Sequence, residues 1–168
     1  MISGESEAGY LKVEAQLTPN PQSARYEVDR VLLSGEGADF AAPEAAENAP
    51  LAKRLFEIDG VERVFVGRDF VTTTVREGLG PLTISPFVED ALRAHVESGE
   101  PAVVRDGEDP HVVKAKTEIE QQIITTLDQK VRPAVASDGG DVVFAGFEDG
   151  DVQLEMRGAC SGCPSSLM

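Results

Sequence analysis

Asp138-Gly139-Gly140-Asp141-Val142-Val143-Phe144-Ala145-Gly146-Phe147-Glu148-Asp149-Gly150-Asp151-Val152-Gln153-Leu154-Glu155-Met156-Arg157 is the stretch from which the fold of this 168-residue chain can be read. Gly139 and Gly140 suit a helix-to-strand turn, because glycine adopts backbone angles that other residues resist. Val142 to Phe147 and Val152 to Arg157 flank a second turn, Glu148-Asp149-Gly150-Asp151. In the later segment Val152, Leu154 and Met156 alternate with Gln153, Glu155 and Arg157, the period of a strand with one buried face. The pattern predicts an antiparallel hairpin with its apolar face against a helix.

That helix is expected just upstream, from about Val112 to Val131. Ile119, Ile123, Ile124, Leu127 and Val131 recur at helical spacing, Lys116, Glu120 and Lys130 occupy the other face, and Pro133 forces the end. Downstream, Gly158-Ala159-Cys160-Ser161-Gly162-Cys163-Pro164-Ser165-Ser166 leaves the last strand. This run holds the only two cysteines and opens, at Pro-Ser-Ser, with composition suited to a helix start. A helix begun there has no room to finish before Met168.

The first half predicts a second α+β unit. Leu11, Val13, Ala15 and Leu17 alternate with polar residues as a half-buried strand does, and Arg25 to Leu33 reads as another, with Tyr26, Val28 and Val31 to Leu33 inward. Ala38 to Ala49 suits a loop or a loose helix. Pro50 is placed to open a helix carrying Leu51, Leu55, Phe56 and Ile58. Val61 to Val66 and Phe70 to Arg76 form a hairpin pattern around Gly67-Arg68-Asp69. Ser85 and Pro86 suit an N-cap and first helical position for a helix burying Val88, Ala91, Leu92 and Val96. The expected organisation is α+β with two small domains, each a mostly antiparallel sheet packed with helices: residues 1–98, a linker at 99–111 rich in charge, Gly and Pro, and residues 112–168. Val103 and Val104 interrupt that linker with apolar residues able to dock.

Composition narrows the function classes. The net charge is −15, with 10 basic against 19 acidic residues through Asp106 and 5 against 11 after it. Without a basic stripe the chain cannot gain the counterion-release free energy that dominates nucleic-acid affinity. No run of 18 apolar residues is present, so no membrane span is expected. The acidic first twenty residues fit neither a secretory signal nor an Arg-rich transit peptide. Two cysteines three apart are too few for a secreted disulfide framework, which points to a reducing compartment. The cytoplasm is expected, or the mitochondrial matrix for a processed eukaryotic form.

Cys160 and Cys163 carry the chemistry, and the spacing by itself suits a disulfide, a zinc or an iron of a cluster. A thiol–disulfide oxidoreductase of the thioredoxin kind would carry the pair near the start of a βαβ unit, whereas here it follows a hairpin. Zinc takes four ligands and a cluster normally four cysteines, but one chain offers two. His95, in a predicted helix of the other unit, and His111, beside the linker, read as structural or surface residues. A second copy of the chain is the simplest completion, two Cys-x-x-Cys pairs facing each other across a two-fold axis.

Ile119 to Leu167, through Arg132-Pro133, Asp138-Gly139-Gly140-Asp141-Val142, Asp149-Gly150 and Gly158-Ala159-Cys160-Ser161-Gly162-Cys163-Pro164-Ser165-Ser166, resembles the C-terminal domain of the NifU family. The first half resembles the N-terminal domain of Nfu-type proteins through Thr18-Pro19-Asn20-Pro21, Asp39-Phe40, Pro50-Leu51-Ala52, Leu55-Phe56, Gly60-Val61, Val64-Phe65 and Asp69-Phe70-Val71-Thr72. The resemblance implies an iron–sulfur cluster scaffold or carrier, not an enzyme. In it Cys160 and Cys163 match the ligand pair, and a 4Fe-4S cluster bridges a homodimer before transfer to apo-proteins. It further implies upstream cluster assembly machinery as a partner and an N-terminal domain that helps choose clients. Family members continue past Pro-Ser-Ser into a full helix, so the chain is expected to be truncated after the Cys-x-x-Cys motif.

Overall fold

The alternating stretches of the first hundred residues meet in one antiparallel sheet. The computed structural model describes residues 11–34, 37–104 and 115–159. In it β1 (Val13–Leu17), β2 (Ser23–Val28), β3 (Ala38–Phe40), β4 (Val61–Val66) and β5 (Phe70–Val75) lie in the order β1-β2-β5-β4-β3. One face buries Ala24, Tyr26, Val28, Val64, Val66, Val71 and Val75. Helices α1 (Pro50–Phe56) and α2 (Ser85–Ser98) cover it with Leu51, Leu55, Val88 and Leu92. Each fully buried aliphatic side chain of this kind contributes about 1.5–3 kcal/mol.

Several details differ from expectation, each for a local reason. The second strand stops at Val28; beyond it the amides of Leu32 and Leu33 both donate to the Arg68 carbonyl, which folds Leu33 into the core and leaves Val31 exposed. Ala38 to Ala49 holds β3 and a 3₁₀ turn at Pro43–Ala46 rather than loop or loose helix. Leu17, at the end of an edge strand, points to solvent. Ser85 does not cap α2; its hydroxyl pairs with the Tyr26 hydroxyl at 3.2 Å, and Ile84 occupies the cap position. Within the expected linker, Gly99 to Val104 returns to the first core: Ala102 is buried, Val103 packs against it, and the Val104 amide donates to the Asn48 carbonyl at 2.7 Å. Residues 105–111 lie outside the described residues.

The second sheet is the expected hairpin, β6 (Gly140–Glu148) and β7 (Asp151–Gly158), closed by Asp149 and Gly150 at positive φ. Its helix departs from the expected single run. A capping box of Thr117 and Glu120 starts α3 (Glu118–Thr126), a π turn follows at Leu127–Val131, and α4 (Arg132–Ser137) continues with Pro133 in its first turn. Pro133 therefore opens a helix instead of closing one. The Arg132 amide donates to the Leu127 carbonyl five residues back, and this wider turn relieves the clash that a proline ring makes in a regular helix.

Leu127, Val142 and Phe144 form the buried centre of this unit, with Ile123, Ile124, Val135, Phe147 and Met156 around it. The helices lie over β6, so Val152 and Leu154 of β7, expected to be buried, are 43% and 45% exposed.

His95 is buried in α2, and that burial, reinforced by the Arg54 charge and opposed by Glu100, lowers its pKa below 6.5. Between the folded value and 6.5 the unfolded chain binds more protons, so this contribution to stability is full above pH 6.5 and is lost as pH falls below it. Lowering the pH from about 7 to about 5 should therefore depress the melting temperature of the parent more than that of His95→Gln, as followed by circular dichroism.

Candidate functional site

Cys160 and Cys163 lie outside the described residues, as does His111; the structure describes the stem from which the cysteine segment leaves. That stem is the open end of the hairpin, where Gly140 pairs with Gly158. The turn between α4 and β6 closes on it, and the Ala159 amide donates to the Gly139 carbonyl at 3.2 Å. Gly139 and Gly158 both have positive φ, at 82° and 66°. A side chain on Gly158 would meet the Gly139 oxygen at 2.7 Å and the Gly140 Cα at 3.0 Å. Two backbone segments touch here, and only glycine allows it.

Ion pairs fix the turn from outside. Asp141 accepts from Arg132 Nε and Nη2, both at 2.8 Å, and from the Val142 amide at 2.8 Å. Arg132 also reaches Asp128 at 3.0 Å. This forked geometry ties the start of α4 to the start of β6. Arg157 is buried, donating to Glu155 at 3.1 Å and to the Gly37 carbonyl at 3.3 Å.

The first sheet reaches the same stem with its outer face. Asn20 Nδ2 donates to the Ala159 carbonyl at 3.2 Å, one residue before Cys160. Thr72 Oγ1 donates to the Gly139 carbonyl at 2.6 Å, and Arg25 Nε to the Ala136 carbonyl at 3.0 Å. Arg25 is held over the Phe70 ring, 4.5 Å from its centroid. The Gly158 amide donates to Asp39 at 3.4 Å, and Asp39 pairs with Arg63, raising the Arg63 pKa above the ordinary arginine value. The backbone of Gly158 and Ala159, leading to the cysteines, is thus held by donors and acceptors from both sheets.

Among the described residues no group of three or more His, Cys, Asp and Glu is placed to hold a metal. His95 is a buried residue of α2 and is not brought to the stem. The glycine turn meets Gly158 and Ala159, the last described residues before the cysteine segment. The roles of Arg132, Asp141, Asn20 and Thr72 were not apparent as pairings along the sequence. The available signals were the Arg-Pro at 132–133 beside the DGGD run, and the period-two placement of Thr72 on the polar face of β5.

A model described as scaffold protein Nfu/NifU N terminal matches residues 13–99, and one described as NifU-like domain matches residues 123–168. The chain belongs to the Nfu/NifU scaffold family. The mitochondrial NFU1 iron-sulfur cluster scaffold homolog of Homo sapiens is 38% identical over 164 residues, covering 95% of this chain and 63% of that protein. Its counterpart in Drosophila erecta is 41% identical over 161 residues, covering 93% and 56%. The chain thus spans little more than half the length of such relatives. The solution structure of a NifU-like protein from Saccharomyces cerevisiae shares the fold over 58% of this chain and 88% of its own, with a TM-score of 0.52 at 18% identity. The relatives are named as scaffold proteins and as mitochondrial. No helix among the described residues is long and apolar enough to cross a membrane.

Two substitutions test the stem. Gly158→Ala combines a disfavoured φ with a backbone contact and should cost about 3 kcal/mol in urea unfolding, whereas Gly150→Ala, with a disfavoured φ but open space around it, should cost only about 1 kcal/mol. Arg132→Met should cost roughly 3 kcal/mol by leaving the Asp141 carboxylate buried without its partner, and most of that loss should vanish when Asp141→Asn is added.

Proposed function

We propose that this chain is a non-enzymatic scaffold and carrier that holds a 4Fe-4S cluster between two copies and passes it to apo iron–sulfur proteins. Cys160 and Cys163 of each copy are the four ligands. The observation that carries this reading is the position of the pair in the chain: it begins immediately after Ala159, whose amide and carbonyl are both hydrogen-bonded, in a member of an iron–sulfur scaffold family. The fixed stem ends one residue before the first cysteine, and two thiols satisfy half the ligand need of a cluster. The remainder falls to an identical pair across a two-fold axis.

Each thiol loses its proton on binding iron, so loading releases protons. Transfer proceeds as an acceptor thiolate displaces a donor thiolate at one iron at a time. No bond within the cluster breaks, no electron is exchanged, and each released thiolate is free to take up a proton. Two ligands per chain at an interface suit cargo that must leave. The partners are a second copy, upstream cluster assembly machinery and apo-proteins, with neither nucleic acid nor membrane required. A reducing compartment, cytoplasm or mitochondrial matrix, keeps the thiols available.

Anaerobic reconstitution with iron and sulfide, with metal and sulfide counted on a sized peak, tests this. About four irons per two chains are expected, and none in the variant carrying Cys160→Ala and Cys163→Ala. A monomer that binds no iron, takes zinc alone, or cycles between dithiol and disulfide without binding a cluster would overturn it.

A further inference from the structure

The outer face of the first sheet is organised around one transverse row. Gln16 pairs with Arg25, Arg25 with Thr72, Thr72 with Phe65 and Phe65 with Asp39, so the five residues run side by side across all five strands. Four of them meet the stem: Arg25 donates to Ala136, Thr72 to Gly139, Asp39 accepts from Gly158, and the Phe65 ring lies where a Cβ on Gly158 would stand, 3.0 Å away. Arg25, Thr72 and Phe65 are buried beneath it, although they belong to the face opposite the first core.

The hydrogen bonds described across this seam, those of Asn20 and Arg157 beside the row included, join backbone groups of one unit to side chains of the other. Phe65 and Phe70 are the large apolar side chains buried in it, and a cleft of about 550 Å³ lined by Phe70, Arg68, Asp128 and Arg132 runs alongside it. A small seam joined chiefly by hydrogen bonds and flanked by such a cleft is of the kind that opens and recloses.

We propose that this row is an intramolecular latch: the first sheet grips the cysteine hairpin by its stem in the cluster-free monomer, and lets go when two copies pair. The release half rests on the two-copy cluster proposed above. A two-fold arrangement brings the same end of both hairpins to the axis. In the latched chain that end is already covered, with Arg157 and Ala159 4% and 2% exposed. Two latched copies would bring both first sheets to the axis together, so the sheets leave as the copies pair. Cluster loading is thereby coupled to unit separation, and the freed row, with Arg25 Nε and the Thr72 hydroxyl released from the second unit, becomes available to a partner's backbone only in the loaded state.

Hydrogen exchange on the full iron-free chain, read by mass spectrometry, tests the grip. The variant carrying Asn20→Ala and Thr72→Val loses two donors while keeping the shape of β5, and exchange at residues 139–142 and 156–159 should rise about tenfold, the effect of two hydrogen bonds. Thr74→Val, on the same face but paired with Ser23, should leave those rates unchanged. Equal exchange in parent and double variant would overturn the latch. Reconstitution then tests release: the double variant should form the loaded dimer faster than the parent at equal concentration. Slower or poorer loading would show the row to be a support the cluster needs and would overturn the release. A cluster in neither protein would overturn the proposed function and the release with it, while the exchange rates would still decide whether the sheet holds the stem.

Discussion

Backbone meets backbone where Gly139, Gly140 and Gly158 converge, and the surrounding architecture depends on that closeness. A single added methyl group would push the helix-to-strand turn off the end of β7. With the contact in place, the Gly139 carbonyl accepts from Ala159 on one side and from Thr72 on the other, so one oxygen joins the hairpin to the first sheet. The Asp141 carboxylate then has a fixed place from which to receive Arg132.

Electrostatics around this point are local rather than global. The chain carries a charge of −15, yet its buried charged groups near the stem are two arginines and an aspartate, Arg25, Arg157 and Asp141, each with a stated partner. A buried ion left alone would be costly, whereas a forked pair fixes a direction as well as a distance. Among the described acidic residues only Asp141 is buried, and the stem is held by hydrogen bonding.

Much of the fold was legible because alternation and turn chemistry agreed. Val61 to Val66 and Phe70 to Val75 paired as their pattern predicts, and Asp149-Gly150 turned as its residue types require. Period two could not reveal how far a helix covers a sheet, and so Val152 and Leu154 were assigned to a core that reaches only the β6 side. Pro133 opens a helix for a related reason: proline ends a helix where the preceding turn is regular, and the hydrogen bond from Arg132 to Leu127, five residues back, makes that turn wider. The cysteine pair was visible as chemistry from its spacing, but contacts between residues more than a hundred apart, such as Asn20 with Ala159, leave no periodic trace.

The π turn at Leu127–Val131 also sets a phase. It inserts one residue's worth of rotation, about 100° on a helix of 3.6 residues per turn, between the apolar stripe of α3 and the first turn of α4. Arg132 consequently faces Asp141 while Ile123 and Ile124 still face Phe144. The helix keeps two separate appointments on one sheet because its thread changes pitch between them. Shortening that stretch by one residue would leave Ile123 and Ile124 seated but swing Arg132, and Val135 with it, away from β6, unfastening the glycine turn and opening the α4 side of the core.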